Sequence, residues 1–160
     1  MRIIITTHNG TLASMKEREI DETIKDYLAG KDIRYTGGRR AVVRALQIAA
    51  GPQSAAEIHL RLRRTIPLSS LYRSLATLEE AGLLSLHHGQ GKVARYELAE
   101  WLSGHHHHLV CLECGAMGDF QLEAKAEEQL LGLVASAGRK AGYQVRGHSL
   151  EVEGLCRSCR

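Results

Sequence analysis

Two Cys-x-x-Cys pairs, Cys111 with Cys114 and Cys156 with Cys159, account for every cysteine in the chain. Four thiols at knuckle spacing are the donor set of a closed tetrahedral zinc site, which leaves no open coordination position for a substrate. Two disulfides are the alternative use of the same residues, and the paired two-residue spacing favours metal over them. Zinc held this way would fasten together the two ends of the intervening segment, which is a structural task.

Just before the first pair runs His105, His106, His107 and His108. If residues 105 to 111 enter a strand, alternation sends His105 and His107 to one face and His106 and His108 to the other. Each row can then serve its own ion. The odd pair can recruit His148 and an acid from the following helix, with Glu127 the first choice and Glu123 and Glu128 the alternatives. Glu97 can complete the even pair from the hinge side, with His87 or His88 as further donors. Mixed nitrogen and oxygen shells suit zinc, Fe(II), Mn(II) or Ni(II), and their histidines must be neutral to bind. The plain alternatives are an incidental metal-attracting surface and, for His148, ordinary packing. His59 reads as a polar position and His8 as part of the terminus.

These donors need elements to place them. Residues 15 to 29 carry Ile20, Ile24 and Leu28 at helical spacing and end at Gly30. A second helix follows Thr36 and turns Ala41, Val42, Ala45, Leu46 and Ala49 inward before Gly51-Pro52. Ser54 with Glu57 is a capping-box pattern that opens a short third helix. After Thr65-Ile66-Pro67, a fourth helix is expected from Ser69 or Ser70 to near Gly82, with Leu71, Leu75 and Leu78 on its apolar side. The runs Leu83 to Leu86 and Val93 to Leu98 flank His87 to Lys92, a Gly-rich turn, and read as a β-hairpin. Three close helices and a hairpin make a winged helix-turn-helix.

The charge pattern agrees with that shape. The net charge is only +3, yet residues 34 to 73 hold eight arginines against the single acid Glu57. Such an excess suits phosphate steering, although arginine-rich helix faces are often merely solvated. A helix in the major groove brings Arg73 and Ser70 to base edges and Tyr72 to sugar or a thymine methyl. Arg39, Arg40 and Lys92 are phosphate candidates. Half-buried packing is the competing role for Tyr72, and surface ion pairing for Arg73.

Beyond residues 101–104, read as a hinge, short strands at Leu109 to Cys111 and Met117 to Phe120 flank the first knuckle. A helix spans Leu122 to about Gly138, with Leu130, Leu131 and Val134 on its apolar side, and an extended segment runs from Tyr143 to Leu155. The expected fold class is α+β. It comprises an extension with an amphipathic helix over 1–35, a winged-helix DNA-binding domain over 36–100 and a small α/β metal-binding dimerisation domain over 105–160. With 160 residues and 44% hydrophobic composition, two small lobes fit better than one large enzyme domain. No apolar run reaches the roughly 18 residues of a membrane span, and residues 2–7 are too short for a secretory signal centre, so a soluble cytoplasmic protein is expected. No His-Glu-x-x-His element and no deaminase pattern is present, which speaks against an enzyme.

Together these residues resemble the ferric uptake regulator (Fur) family of metal-responsive repressors. The likeness runs from Thr36 to Cys159 through Ser54-Ala55-Ala56-Glu57-Ile58, Leu71-Tyr72-Arg73-Ser74-Leu75, Glu80-Ala81-Gly82-Leu83 and Tyr96-Glu97-Leu98. It continues through His105 to Cys111, Cys114-Gly115, His148-Ser149-Leu150 and Gly154-Leu155-Cys156. The resemblance implies a homodimer that reads an AT-rich, approximately palindromic operator on double-stranded DNA. It places Tyr72 and Arg73 on the recognition helix and structural zinc on the four cysteines. Glu97, His106 and His108 match its regulatory hinge site, and His105, His107, His148 and an acid near Glu127 match an additional site. Three features depart from the pattern, one of them the long N-terminal helix before Thr36. Gly51-Pro52-Gln53-Ser54 stands where iron- and peroxide-sensing members carry a histidine, and Ser85 and Glu97-Leu98-Ala99 lack the Asp and Cys of zinc sensors. The histidine run resembles zinc-uptake regulators, so regulatory zinc is the first expectation and iron the next.

Overall fold

The computed structural model describes residues 10–88 and 93–160. Lys92 and His8, the apolar residues 2–7 and the tip of the expected hairpin turn lie outside the described residues. Helix α1 (Gly10–Ala29) begins earlier than its apolar spacing suggested and packs as part of the first lobe, with Ile24 and Leu28 fully buried. Thr36 caps α2 (Gly37–Gln47) by accepting a hydrogen bond from the Arg39 N–H, and Val42, Val43 and Leu46 enter the core. Strand β1 (Gln53–Ser54) leads into α3 (Ala55–Leu62), where Ser54 and Glu57 form the reciprocal capping box.

Helix α4 (Leu68–Glu80) starts one or two residues before the expected serines, because Pro67 takes the N-cap position and its carbonyl accepts from both Ser70 and Leu71. It ends in a glycine cap. Gly82 sits at φ +76, its N–H bonds the Glu79 carbonyl, and the Leu83 N–H reaches back to Leu78. Leu71, Leu75 and Leu78 then close the core against α2. Strands β2 (Leu84–His88) and β3 (Ala94–Leu98) pair antiparallel, with β1 on the other side of β3 in the order β1-β3-β2. The third strand had no clear signal, since two residues before a cap show no alternation.

The residues read as a hinge form a short helix, α5 (Glu100–Ser103). Trp101 donates its Nε1–H to the Gly82 carbonyl at 3.0 Å and stacks on Tyr27 of α1, whose hydroxyl donates to Ala81 at 2.9 Å. This segment is therefore anchored on the first lobe. The second lobe contains β4 (His107–Cys111), β5 (Met117–Phe120), α6 (Ala124–Lys140) and β6 (Glu151–Gly154). Its sheet order is β5-β4-β6, with β4 antiparallel to β5 and parallel to β6. Helix α6 contains no buried residue, and all four residues of β6 are exposed.

Backbone joins the lobes where α2 gives way to β1. The Asp119 N–H of β5 donates to the Ala50 carbonyl at 3.0 Å. Next to it, Gly51 takes φ +155, and a Cβ there would lie 2.7 Å from the Met117 oxygen and 2.8 Å from the Gly118 Cα. Only a residue without a side chain allows that approach.

Candidate metal centres and nucleic-acid interface

The four cysteine sulfurs lie within 4.8 Å of one another, with Cys114 and Cys156 Sγ 3.8 Å apart. For Zn–S bonds of about 2.3 Å, a tetrahedron has sulfur separations of about 3.8 Å, so the quartet is already at coordination scale. Two knuckles create it. Each turns back through a backbone bond, Gly115 to the Cys111 carbonyl and Cys159 to the Cys156 carbonyl, while Leu112 bonds Gly154 across the two segments. Backbone N–H groups of Cys114 and Cys156 favour the Cys111 thiolate and draw its pKa down to about 6.

On one face of β4, His105 and His107 meet His148 and Glu127, and their ligand atoms all lie within 4.8 Å. Glu127 is the acid that reaches them, from the first turn of α6. Its Oε2 lies 2.9 Å from His107 Nε2, and its Oε1 lies 3.2 Å from His105 Nε2 and 3.1 Å from His148 Nε2. His148 Nε2 and Glu127 Oε1 are buried and face each other without the alignment of a hydrogen bond. Orphaned donors converging this way fit a cation.

The opposite face gathers Glu97, His106, His108 and Asp119, again within 4.8 Å. Glu97 Oε2 lies 3.0 Å from His106 Nε2 and 3.2 Å from His108 Nε2, while Oε1 faces His87 Nε2 at 2.7 Å. Burial alone would raise the Glu97 carboxyl, but hydrogen bonds from His106, His108 and His87 outweigh it and hold the group far below the usual carboxylate range. In return the Glu97 bond lifts His106 to about 9, against desolvation. His88 remains exposed at the end of β2.

Asp119 is the member that sequence reasoning missed. It sits opposite His108 in the β4–β5 register, and its Oδ1 lies 3.8 Å from His108 Nε2 and 3.9 Å from His106 Nε2. That oxygen is buried without a hydrogen-bond partner among the described residues, and desolvation raises its pKa. A strand pairing across the first knuckle was the signal that would have found it. Carboxylates from β3 and β5, the His108 imidazole of β4 and that of His106 just before it thus form an N/O set of the type that accepts zinc, iron or manganese.

On α4, Tyr72 and Arg73 are exposed, and the Arg73 guanidinium donates to Ser70 Oγ at 3.2 Å. Tyr72 is 53% exposed, which leaves about half of its surface available for contact. The other two arginines are engaged within the lobe. Arg39 donates to Thr77 Oγ1 at 3.1 Å and to the Arg34 carbonyl. Arg40 pairs with Asp21 and lies over the Tyr35 ring, 4.5 Å from its centroid. Arg95, which no motif singled out, is buried on β3 and donates to the Pro52 carbonyl at 3.0 Å and Glu57 Oε2 at 2.9 Å. It ties the strand carrying Glu97 to the start of α3.

No helix of the described residues is long and apolar enough to cross a membrane. Residues 30–153 match the model of the Ferric uptake regulator family. The Ferric uptake regulation protein of Bacillus subtilis (strain 168) is 32% identical over 149 residues, covering 89% of this chain and 95% of that protein. The crystal structure of the Vibrio cholerae ferric uptake regulator superposes with TM-score 0.64 at 29% identity, over 82% of this chain and 98% of that one. A zinc-bound manganese uptake regulator superposes with TM-score 0.64 at 25% identity, covering 84% and 98% respectively.

Proposed function

Since the chain belongs to the ferric uptake regulator family of metal-responsive, dimeric, DNA-binding transcription regulators rather than to any enzyme class, we propose that it is a zinc-responsive repressor of metal-uptake genes. The observation that carries this reading is the hinge set, in which Glu97 of the first lobe faces His106, His108 and Asp119 of the second. These four residues would hold a divalent cation, which supplies an electrostatic link between the reading head and the dimerisation lobe. The cysteine quartet would hold structural zinc, and His105, His107, Glu127 and His148 a further ion.

The chain's own residues prepare that link. Glu97 lies on β3 of the wing sheet, and Arg95, two residues earlier, clamps the same strand to the α3 cap. A fixed separation at Glu97 therefore passes through rigid backbone to α3 and α4. There, Arg73 and Ser70 would read base edges and Tyr72 a sugar or thymine methyl. Arg39, Arg40 and Lys92 are assigned to phosphates, with Arg40 exchanging its Asp21 partner on contact.

A second copy of the chain is the partner that fits the second lobe. Leu131, Leu133 and Val152 are exposed along α6 and the open edge strand β6. Two-fold pairing of the heads makes an approximately palindromic operator the matching DNA, and the family resemblance is what adds that it is AT-rich. The domain division proposed is 1–35, 36–100, 101–104 and 105–160, with cytoplasmic localisation.

Ferrous iron is the second reading, favoured by the two hard carboxylates in the hinge set and by the relatives named for ferric uptake. Manganese and nickel follow. Operator binding titrated with buffered zinc, Fe(II), Mn(II) and Ni(II), with bound metal counted, separates them. The reading expects tightening of about 5- to 150-fold with zinc at the lowest free concentration. Equal operator binding at all metal levels rejects it.

A further inference from the structure

We propose that His87, His108 and Glu151 form a second seat for a divalent cation, an outer loading position from which the ion passes to the hinge set. The proposal rests on the hinge reading and deepens it. The ligand atoms of these three residues lie within 4.8 Å of one another, and they come from three different strands. Glu151 is opposite His108 in the parallel β4–β6 register, so the backbone itself brings this carboxylate beside the imidazole. His87 arrives from the wing strand β2, its ring 4.6 Å from that of His108 between centroids.

His108 belongs to both groups. A neutral imidazole has one free lone pair, because its other nitrogen carries the proton, so it serves one ion at a time. The two groups are consequently alternative seats rather than a two-metal centre. They also differ in access. Glu151 is exposed, and a cavity of about 250 Å³ between the lobes is lined by His87, His108 and Glu151 together with Glu97 and His106. An ion bound by two imidazoles, one carboxylate and water exchanges more readily than one gripped by four protein donors. His87 and Glu97 already touch at 2.7 Å, so the path between seats is one side chain long.

The test uses the full chain with its thiolates filled by zinc and cobalt(II) as the probe. His106→Ala removes a hinge donor and leaves the outer seat whole; adding Glu151→Gln removes the outer carboxylate. Cobalt absorption should persist in the single variant and weaken by roughly tenfold or more in affinity in the double variant. The His105, His107, His148 and Glu127 group is common to both and cancels. Identical cobalt affinity and spectra in the two variants overturn the outer seat. In an otherwise unaltered chain, Glu151→Gln should slow removal of bound metal by a chelator, and an unchanged rate likewise overturns it. Failure of the hinge reading shows separately, as metal-stimulated operator binding that His106→Ala leaves intact.

Discussion

Asp119 donates its backbone N–H to the Ala50 carbonyl at 3.0 Å while its side chain faces His106 and His108. One residue thus fixes the pivot between the lobes with its main chain and contributes to the hinge set with its carboxylate. Beside it, at Gly51, the two lobes approach through backbone without any side chain between them.

Gly51→Ala tests that pivot. The added Cβ would meet the Met117 oxygen at 2.7 Å and the Gly118 Cα at 2.8 Å, both backbone and unable to yield cheaply. The expected outcome is a loss of about 1–3 kcal/mol in stability, measured by denaturant titration, together with a smaller metal-induced gain in operator affinity.

The hinge set makes metal capture depend on pH. A free histidine titrates near 6.5, whereas the Glu97 bond holds His106 up to about 9. In the metal-free protein this pair stabilises the fold fully below about 6.5, and the contribution disappears as pH rises through about 9. The same proton competes with the cation, so apparent hinge affinity should rise by up to about tenfold per unit as pH increases toward 9. Metal titrations at several pH values check the slope, and Glu97→Gln should flatten it.

Cys111→Ser should lower the thermal midpoint by about 10 °C or more, and zinc chelation should do the same to the unaltered chain. Calorimetry with a parallel zinc count decides this. The loss should fall on the second lobe, because the quartet joins the knuckle after β4 to the one after β6.

Arg73→Ala should cost about 1–3 kcal/mol in discrimination between operator and unrelated duplex. Lys92→Ala, a change at a proposed phosphate contact, should weaken both nearly equally and lower the salt dependence of binding. Competition binding at two salt concentrations distinguishes the two effects.

Much of this was legible because local rules and spacing coincide. Ser54 with Glu57 announced a capping box, the two Cys-x-x-Cys pairs announced one quartet, and strand alternation divided four consecutive histidines between two faces. Partners brought by tertiary register were harder to see. Glu127 could be preferred over its neighbours only by helical direction, and Asp119 is opposite His108 only once the turn through Cys114 sets the β4–β5 pairing. The start of α4 moved because proline at the N-cap leaves no serine signature, and residues 100–103 closed into a helix because Trp101 found the Gly82 carbonyl and the Tyr27 ring.

The 3.8 Å separation of Cys114 and Cys156 has a consequence for handling and ageing. On the proposal that the quartet holds zinc, stripping it in air would leave an activated thiolate at Cys111 and close sulfurs across the knuckles open to oxidative crosslinking by oxygen, which removes two donors in one event. Protein aged that way would refuse zinc until a reductant is added, so reconstitution depends on the order in which reductant and metal are supplied.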